Sequence, residues 1–225
     1  MDNTNELIKL MTLDDIMNTS DIEERFEQIA KMLFESFAIQ KGEMVYLFKE
    51  IEFYFYNKNH RDIITHPRVS KPLCWYVNDF GGIDLNFFSN IEFDSRYNDK
   101  GKKVQKYVLD DIAYFGGILI RQLISEDGSE VLTGPLACAE LFRCHDATGV
   151  DKEFPVLVEK KNDIVGYIRK TRINLLRSNQ SVEDKVNIIL CQYHDNIQPP
   201  RETLYQEFLN FKDKLYGYEQ QIAAR

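Results

Sequence analysis

Hydrophobic and polar positions follow two different periods along the chain, and each period predicts one kind of element. From Ser20 onward apolar residues recur at helical spacing, and Ser20 with Glu23 three residues later fits a capping box. The apolar positions of this predicted helix are Ile22, Phe26, Ile29, Ala30, Leu33, Phe34 and Phe37. A weaker apolar pattern near the N-terminus predicts a short helix there, so helices are expected within residues 1–40.

The segment 44–56, MVYLFKEIEFYFY, is rich in aromatic and β-branched residues and predicts a long strand. Alternate residues of a strand share a face. One predicted face carries Val45, Leu47, Lys49, Ile51, Phe53 and Phe55. The other carries Tyr46, Phe48, Glu50, Glu52, Tyr54 and Tyr56.

Shorter patterns complete the layout. Strands are predicted at 73–78, 83–88, 116–124 and 154–159, and helices at 136–142, after Ser181 and after Pro199-Pro200. Residues 57–72 and 96–107 read as a polar loop and a lysine-rich surface excursion. The order predicts an α+β fold: a single mixed domain over 1–180 with a curved antiparallel sheet flanked by helices, and a helical extension over 181–225.

Composition narrows the class of protein. Of 225 residues, 44% are hydrophobic and 28% charged, so a sizeable core is expected. The net charge of −8 disfavours a protein that coats DNA generally, but allows one that grips nucleic acid through a local patch. No apolar run is long enough for a membrane span, the N-terminus lacks a secretory pattern, and the four cysteines form no CxxC pair. A cytoplasmic protein with reduced thiols is therefore expected.

Two carboxylates on the long strand are the first candidates for chemistry. Glu50 and Glu52 lie on a predicted face that is otherwise aromatic. Desolvation among aromatic rings raises the pKa of a carboxyl group, which suits proton transfer near neutral pH. The alternative is that this face is exposed and both are ordinary surface charges.

Histidines in the following loop form a second candidate. His60, Asp62 and His66 fall within seven residues and could ligate a metal, although their spacing matches no strong metal signature. The alternatives are a histidine held by hydrogen bonds in a loop and a histidine that lines a pocket.

The remaining candidates are weaker. Two Cys-His combinations could supply a nucleophile, but packing is the alternative for both: Cys144 with His145, and Cys191 with His194. Two basic clusters could contact phosphates, or could be solvated charge: Lys100, Lys102, Lys103 and Lys106, and Arg169, Lys170 and Arg172.

Taken in order, these motifs resemble the alkyladenine (3-methylpurine) DNA glycosylase family over about residues 22–176. IAKMLFESFAI followed by GEMVYLFKEIEFY resembles the family's first helix and catalytic strand, which carries the catalytic Glu in a Glu-x-Tyr triplet, here Glu52-Phe53-Tyr54. The segment from Asp62 to His66 is similar to the family's Asp-x3-His element. Phe80-Gly81 is the nearest counterpart of its wedge hairpin. GGILIRQL, Gly134-Pro135 and RKTRINL (169–175) resemble its later strand, helix start and basic strand.

The resemblance implies a glycosylase that flips a damaged or modified purine-type base out of DNA, expected to be double-stranded, and hydrolyses its N-glycosidic bond. Glu52 would position and deprotonate the water, and Tyr54 and His66 would bracket the base. Asp84 and Asn86 both compete for the position of the family's pocket Asn. Phe80 would be the wedge, Arg121 and Arg172 would support the site or contact phosphate, and Lys102 and Lys103 would belong to the basic patch. The resemblance requires no metal or organic cofactor.

Two alternatives from other classes stay open. The same fold could serve as a non-catalytic module that binds a nucleotide, a nucleobase or a protein, which the acidic charge and the short segment between His66 and Trp75 favour. It could also be a glycosidic-bond hydrolase that acts on a small nucleoside or a modified base, which would need Glu52 but no wedge.

Overall fold

The computed structural model describes residues 2–78, 81–97, 101, 103–143, 153–192 and 199–221. Within them the chain is a mixed α+β protein with five helices, and every strand pair is antiparallel. The helices are α1 (Asn3–Leu10), α2 (Thr19–Ser36), α3 (Pro135–Phe142), α4 (Val182–Leu190) and α5 (Arg201–Lys212). The strands are β1 (Phe37–Lys41), β2 (Met44–Asn57), β3 (His60–Arg61), β4 (Trp75–Val77), β5 (Ile83–Asn86), β6 (Glu92–Tyr97), β7 (Lys103–Val108), β8 (Phe115–Ser125), β9 (Val131–Thr133), β10 (Val156–Glu159), β11 (Gly166–Lys170) and β12 (Gly217–Gln221).

The long strand β2 organises the main sheet. One edge of β2 pairs with β8 along most of its length, and β5 and then β4 follow beyond β8. The other edge is shared by three strands in succession: β1, β12 and β3. β10 extends the sheet beyond β1, β11 extends it beyond β12, and β9 pairs with the far end of β8. A separate hairpin of β6 and β7 stands outside this sheet.

Helix α2 covers one face of the sheet and forms the main core with it. Phe26 of α2 stacks on Phe53 of β2, with ring centroids 4.5 Å apart, and Phe87 stacks beside both. The N-cap lies two residues earlier than predicted, because Asn18 and Asp21, rather than Ser20 and Glu23, form the capping box. No helix in the described part of the chain is both long and apolar enough to cross a membrane.

Several predicted elements are confirmed, and some strands were missed. The strand at 116–124 and the helices at 136–142, after Ser181 and after Pro200 are present with small shifts of their ends. Phe37, predicted as helical, instead begins β1. The lysine-rich excursion predicted at 96–107 overlaps the paired strands β6 and β7, which begin at Glu92 and end at Val108.

The prediction of a purely helical extension over 181–225 is wrong in one respect. After α4 and α5 the chain forms the strand β12 and enters the main sheet between β2 and β11. Its sequence GYEQQ has no apolar alternation, so it gave no strand signal. Residues 217–221 therefore belong to the sheet that carries the candidate site.

Candidate active site

Two offset irregularities in the β2–β8 ladder decide which residues share a face. On β2, Lys49 between Phe48 and Glu50 has no counterpart in the ladder. On β8, Arg121 likewise has no counterpart in the ladder. A single extra residue reverses the alternation of side chains beyond it. Tyr46 and Phe48 accordingly lie in the core with Ile51, Phe53 and Phe55. The predicted face that joined Tyr46 and Phe48 to Glu52 is therefore wrong.

The face of the sheet opposite α2 collects four of the predicted site residues in two rows. Residues that are directly paired across antiparallel strands project to the same side. One row runs Glu52, Leu119, Asp84 and Tyr76. The next row runs Tyr54, Gly117 and Asn86. Strand β8 lies between β2 and β5, so the backbones of Glu52 and Asp84 are two strand spacings, about 10 Å, apart.

The Glu52 carboxylate is fully buried and bound by three donors. Its Oε1 accepts a hydrogen bond from the backbone N–H of Ile173, with N···O 2.7 Å. Its Oε2 accepts from the Tyr54 hydroxyl at 2.7 Å and pairs with Nη2 of Arg121 at 2.8 Å. Burial beside this carboxylate raises the pKa of Tyr54, so its hydroxyl stays protonated and donates.

Arg121 reaches this carboxylate because of the irregularity in β8. Nη2 of Arg121 also donates to the backbone carbonyl of Ile173, at 2.5 Å. Its side chain is 17% exposed, whereas that of Glu52 is wholly enclosed. The Glu52 carboxylate, the Arg121 guanidinium and the Ile173 carbonyl thus meet at one place, and Arg121 lies on the side toward solvent.

Arg172 lies beneath Tyr54 in a second ion pair. Its guanidinium bonds both oxygens of Asp62 and lies 4.7 Å from the centre of the Tyr54 ring. Neither Arg172 nor Asp62 has any side-chain exposure. This enclosure leaves no room for the phosphate contact that was one expectation for Arg172, and its role in supporting the site stays a prediction.

A third ion pair includes Arg68, which sequence reasoning missed. Nη1 of Arg68 binds the Asp84 carboxylate and also donates to Oδ1 of Asn86 at 3.0 Å. A Cβ on Gly117 would lie 3.1 Å from that same nitrogen, so the glycine leaves the space that Arg68 crosses. The residue follows a proline in a segment predicted as a loop, where no pattern distinguishes a buried arginine from a surface one.

Other predicted residues occupy different surroundings. Glu50 is buried and paired with Lys170 at 2.9 Å, so neither glutamate is an ordinary surface charge. The ring of His66 approaches the Pro67 carbonyl, and its own carbonyl accepts from Arg68. That His66 brackets a base with Tyr54 stays a prediction.

Within the part of the chain that the structure describes, the metal candidates do not assemble a site. His60 is buried beside Thr19, and Asp62 is held by Arg172. Among the described residues, no group of three or more His, Cys, Asp and Glu side chains could hold a metal ion. Phe80, Lys100, Lys102, Cys144, His145 and His194 lie outside the described residues. Lys103 begins β7 in the separate hairpin.

Comparison of this chain with models of protein families, with curated proteins and with solved structures gives no match. Its function therefore has to be inferred from the geometry of this face.

Proposed function

We propose that this face is the active site of a DNA N-glycosylase, a divergent member of the alkyladenine DNA glycosylase family with that family's fold. It would act in the cytoplasm on a flipped, modified purine-type base. The observation that carries the proposal is the meeting of the Glu52 carboxylate, the Arg121 guanidinium and the Ile173 carbonyl.

These three groups have the polarity needed to hold one water. A carboxylate offers about four acceptor sites, and the protein fills three of those on Glu52. The remaining site and the Ile173 carbonyl can each accept a hydrogen bond from a water, whose oxygen can accept a hydrogen bond from Arg121. These hydrogen bonds would fix the orientation of the water, so that a lone pair of its oxygen points in one direction.

Glycosidic bond cleavage follows from that arrangement. As the bond between C1′ and the base breaks, positive charge develops at the sugar, and the negative charge of Glu52 stabilises it. Water then attacks C1′, Glu52 takes its proton, and the base leaves with the electron pair of the broken bond. The reaction is hydrolysis, so atoms and charge balance without a cofactor.

The second row of the face supplies the base-binding part of the proposal. Tyr54 offers a ring. The Asn86 amide accepts from Arg68 and donates to Ser70, which leaves one N–H and one lone pair of this amide for a base. Asp84 lies in the Glu52 row and is neutralised by Arg68. We therefore assign base recognition to Asn86 and a supporting role to Asp84.

DNA would approach from the side where Arg121 reaches solvent. Lys102 and Lys103 remain the proposed phosphate contacts and Phe80 the proposed wedge, which fills the gap left by the flipped base. Double-stranded DNA is the expected partner, bound through this local basic patch rather than through the acidic surface as a whole.

Base release in single turnover tests the proposal. Duplexes that carry a panel of damaged and modified bases are incubated with excess wild type and Glu52→Gln protein. Loss of the general base is expected to slow release by about 10²–10⁴-fold, and loss of the negative charge adds to this. Duplex affinity, measured on the same oligonucleotides, should change little.

Glu50→Gln is the matched control. Glu50 is on the same strand, is also buried and also forms an ion pair, but its partner is Lys170. The Glu50→Gln variant should lose much less activity than the Glu52→Gln variant. Equal rates for Glu52→Gln and wild type, or a larger loss in Glu50→Gln, would contradict the assignment.

One observation favours a second candidate, a non-catalytic module that binds a nucleotide or nucleobase. Three buried carboxylates at this site are each neutralised by an arginine: Glu52 by Arg121, Asp62 by Arg172 and Asp84 by Arg68. Such pairs also occur as fixed structural networks. Binding of nucleotides by wild type without base release from any duplex would support this candidate.

A further inference from the structure

The side chain of Arg172 is fixed by three separate parts of the chain. Nη1 donates to Oδ2 of Asp62 at 2.5 Å and to the Phe53 carbonyl of β2 at 3.3 Å. Nη2 donates to Oδ1 of Asp62 at 3.2 Å and to the Phe211 carbonyl of α5 at 2.9 Å. The loop after β3, the strand β2 and the helix α5 therefore converge on one guanidinium.

The next residue, Ile173, makes the contacts on which the proposed water site depends. Its N–H binds Glu52 and its carbonyl binds Arg121. Its own side chain is 44% exposed and gives little anchorage. The following residue, Asn174, has φ of 57°, in the left-handed region, and β11 has already ended at Lys170. The backbone at Ile173 is thus held neither by a sheet ladder nor by packing of its own side chain.

We propose that Asp62 is a positioning residue for the hydrolytic site, an inference that rests on the proposed function. By binding Arg172 with both oxygens, Asp62 holds the peptide of Ile173 against Glu52 and Arg121. The same pair places the guanidinium under the ring of Tyr54, whose hydroxyl donates to Glu52 from the other side. Asp62 touches no reacting atom and acts through the geometry of these groups.

The substitution Asp62→Asn tests this. An asparagine keeps the size of the side chain, but its amide turns a donor toward Arg172 in place of an acceptor. Displacement of the Ile173 peptide should lower kcat for base release by about 10–100-fold, because small errors in position slow a reaction strongly, while KM changes little. Asp62→Glu keeps the charge and should recover most of the lost rate.

Hydrogen exchange at the Ile173 amide, followed by NMR, gives a readout that does not depend on activity. Exchange should be about tenfold faster or more in Asp62→Asn than in wild type, and near the wild-type rate in Asp62→Glu. Lys41→Met is the stability control, since it removes two buried hydrogen bonds to the Glu140 and Arg143 carbonyls at the end of α3. In Lys41→Met, the exchange rate of the Ile173 amide should change only by the factor that the loss of global stability accounts for.

The outcomes separate the two proposals. Wild-type exchange at Ile173 in Asp62→Asn, or unchanged kcat in an otherwise active enzyme, overturns the positioning role. Faster exchange in Asp62→Asn, with recovery in Asp62→Glu, supports it even if wild type releases no base, a result that would count against the glycosylase alone. A loss of kcat in Asp62→Asn that Asp62→Glu does not recover also overturns it.

Discussion

Replacing Tyr54 with phenylalanine isolates one hydrogen bond of the buried glutamate. The change removes the hydroxyl that donates to Oε2 of Glu52 at 2.7 Å and leaves the ring over Arg172 in place. Glu52 keeps its bonds to Arg121 and to the Ile173 amide. No cavity larger than one oxygen atom is created, so packing contributes little to the expected effect.

The magnitude follows from the charge of the acceptor. A hydrogen bond to an ionised group contributes about 1.5–3 kcal/mol to stability, roughly twice the value for a neutral pair. Tyr54→Phe should lower the free energy of unfolding by that amount. With a urea dependence of about 2–3 kcal/mol per molar, the unfolding midpoint should fall by about 0.5–1.5 M.

Tyr218→Phe is the control that makes this measurement decisive. The Tyr218 ring is fully buried, and within the described residues its hydroxyl has no hydrogen-bond partner. Removing an unpaired buried hydroxyl should be neutral or stabilising. The assay is equilibrium unfolding in urea, followed by circular dichroism. An unchanged midpoint for Tyr54→Phe, or equal losses for both variants, would refute the reasoning about Glu52.

Further expectations concern the two glycines of β8 and a buried histidine. Gly116→Ala should prevent folding, judged by expression and circular dichroism, because its Cβ would lie 2.1 Å from the Tyr54 carbonyl. Gly117→Ala should cost about 1–3 kcal/mol in a urea titration, because its Cβ would lie 3.0 Å from Oδ1 of Asn86. Burial, then Arg172, lowers the pKa of His60 to about 3, below its unfolded value near 6.5. The unfolded chain therefore binds the extra proton first, and stability should fall by up to about 1.4 kcal/mol per pH unit below pH 6.5. His60→Phe should flatten that fall in urea midpoints taken across this range.

Elements with a strong period were predictable, and elements without one were not. α2 and β2 follow clear apolar patterns, and α4 follows a capping signal at Ser181. β1 was hidden because Phe37 continues the helical phase of α2. β12 and the β6–β7 pair are polar, so they form through pairing with their partner strands rather than through their own hydrophobicity.

The residues of the candidate site also divide into those that the sequence predicts and those that it does not. Glu52 and Tyr54 could be placed together because positions two apart on a strand share a face. The irregularity at Lys49 and Arg121 has no local sequence signature, so the assignment of Tyr46 and Phe48 failed there. Ion pairs such as Asp84 with Arg68 depend on which strands become neighbours, which the order of residues alone does not specify.

The late arrival of β12 has a consequence for synthesis of the protein. Gly217 pairs with Glu52, so this part of the β2 edge has no partner strand until another 165 residues have been synthesised. At about 5–20 residues per second, the nascent chain carries an open edge for roughly 10–30 s. Glu50 and Glu52 place two negative charges at that edge, and like charges discourage pairing between neighbouring nascent chains. Glu52, which is proposed to serve chemistry in the finished protein, would thus also act with Glu50 to protect the unfinished chain on the ribosome.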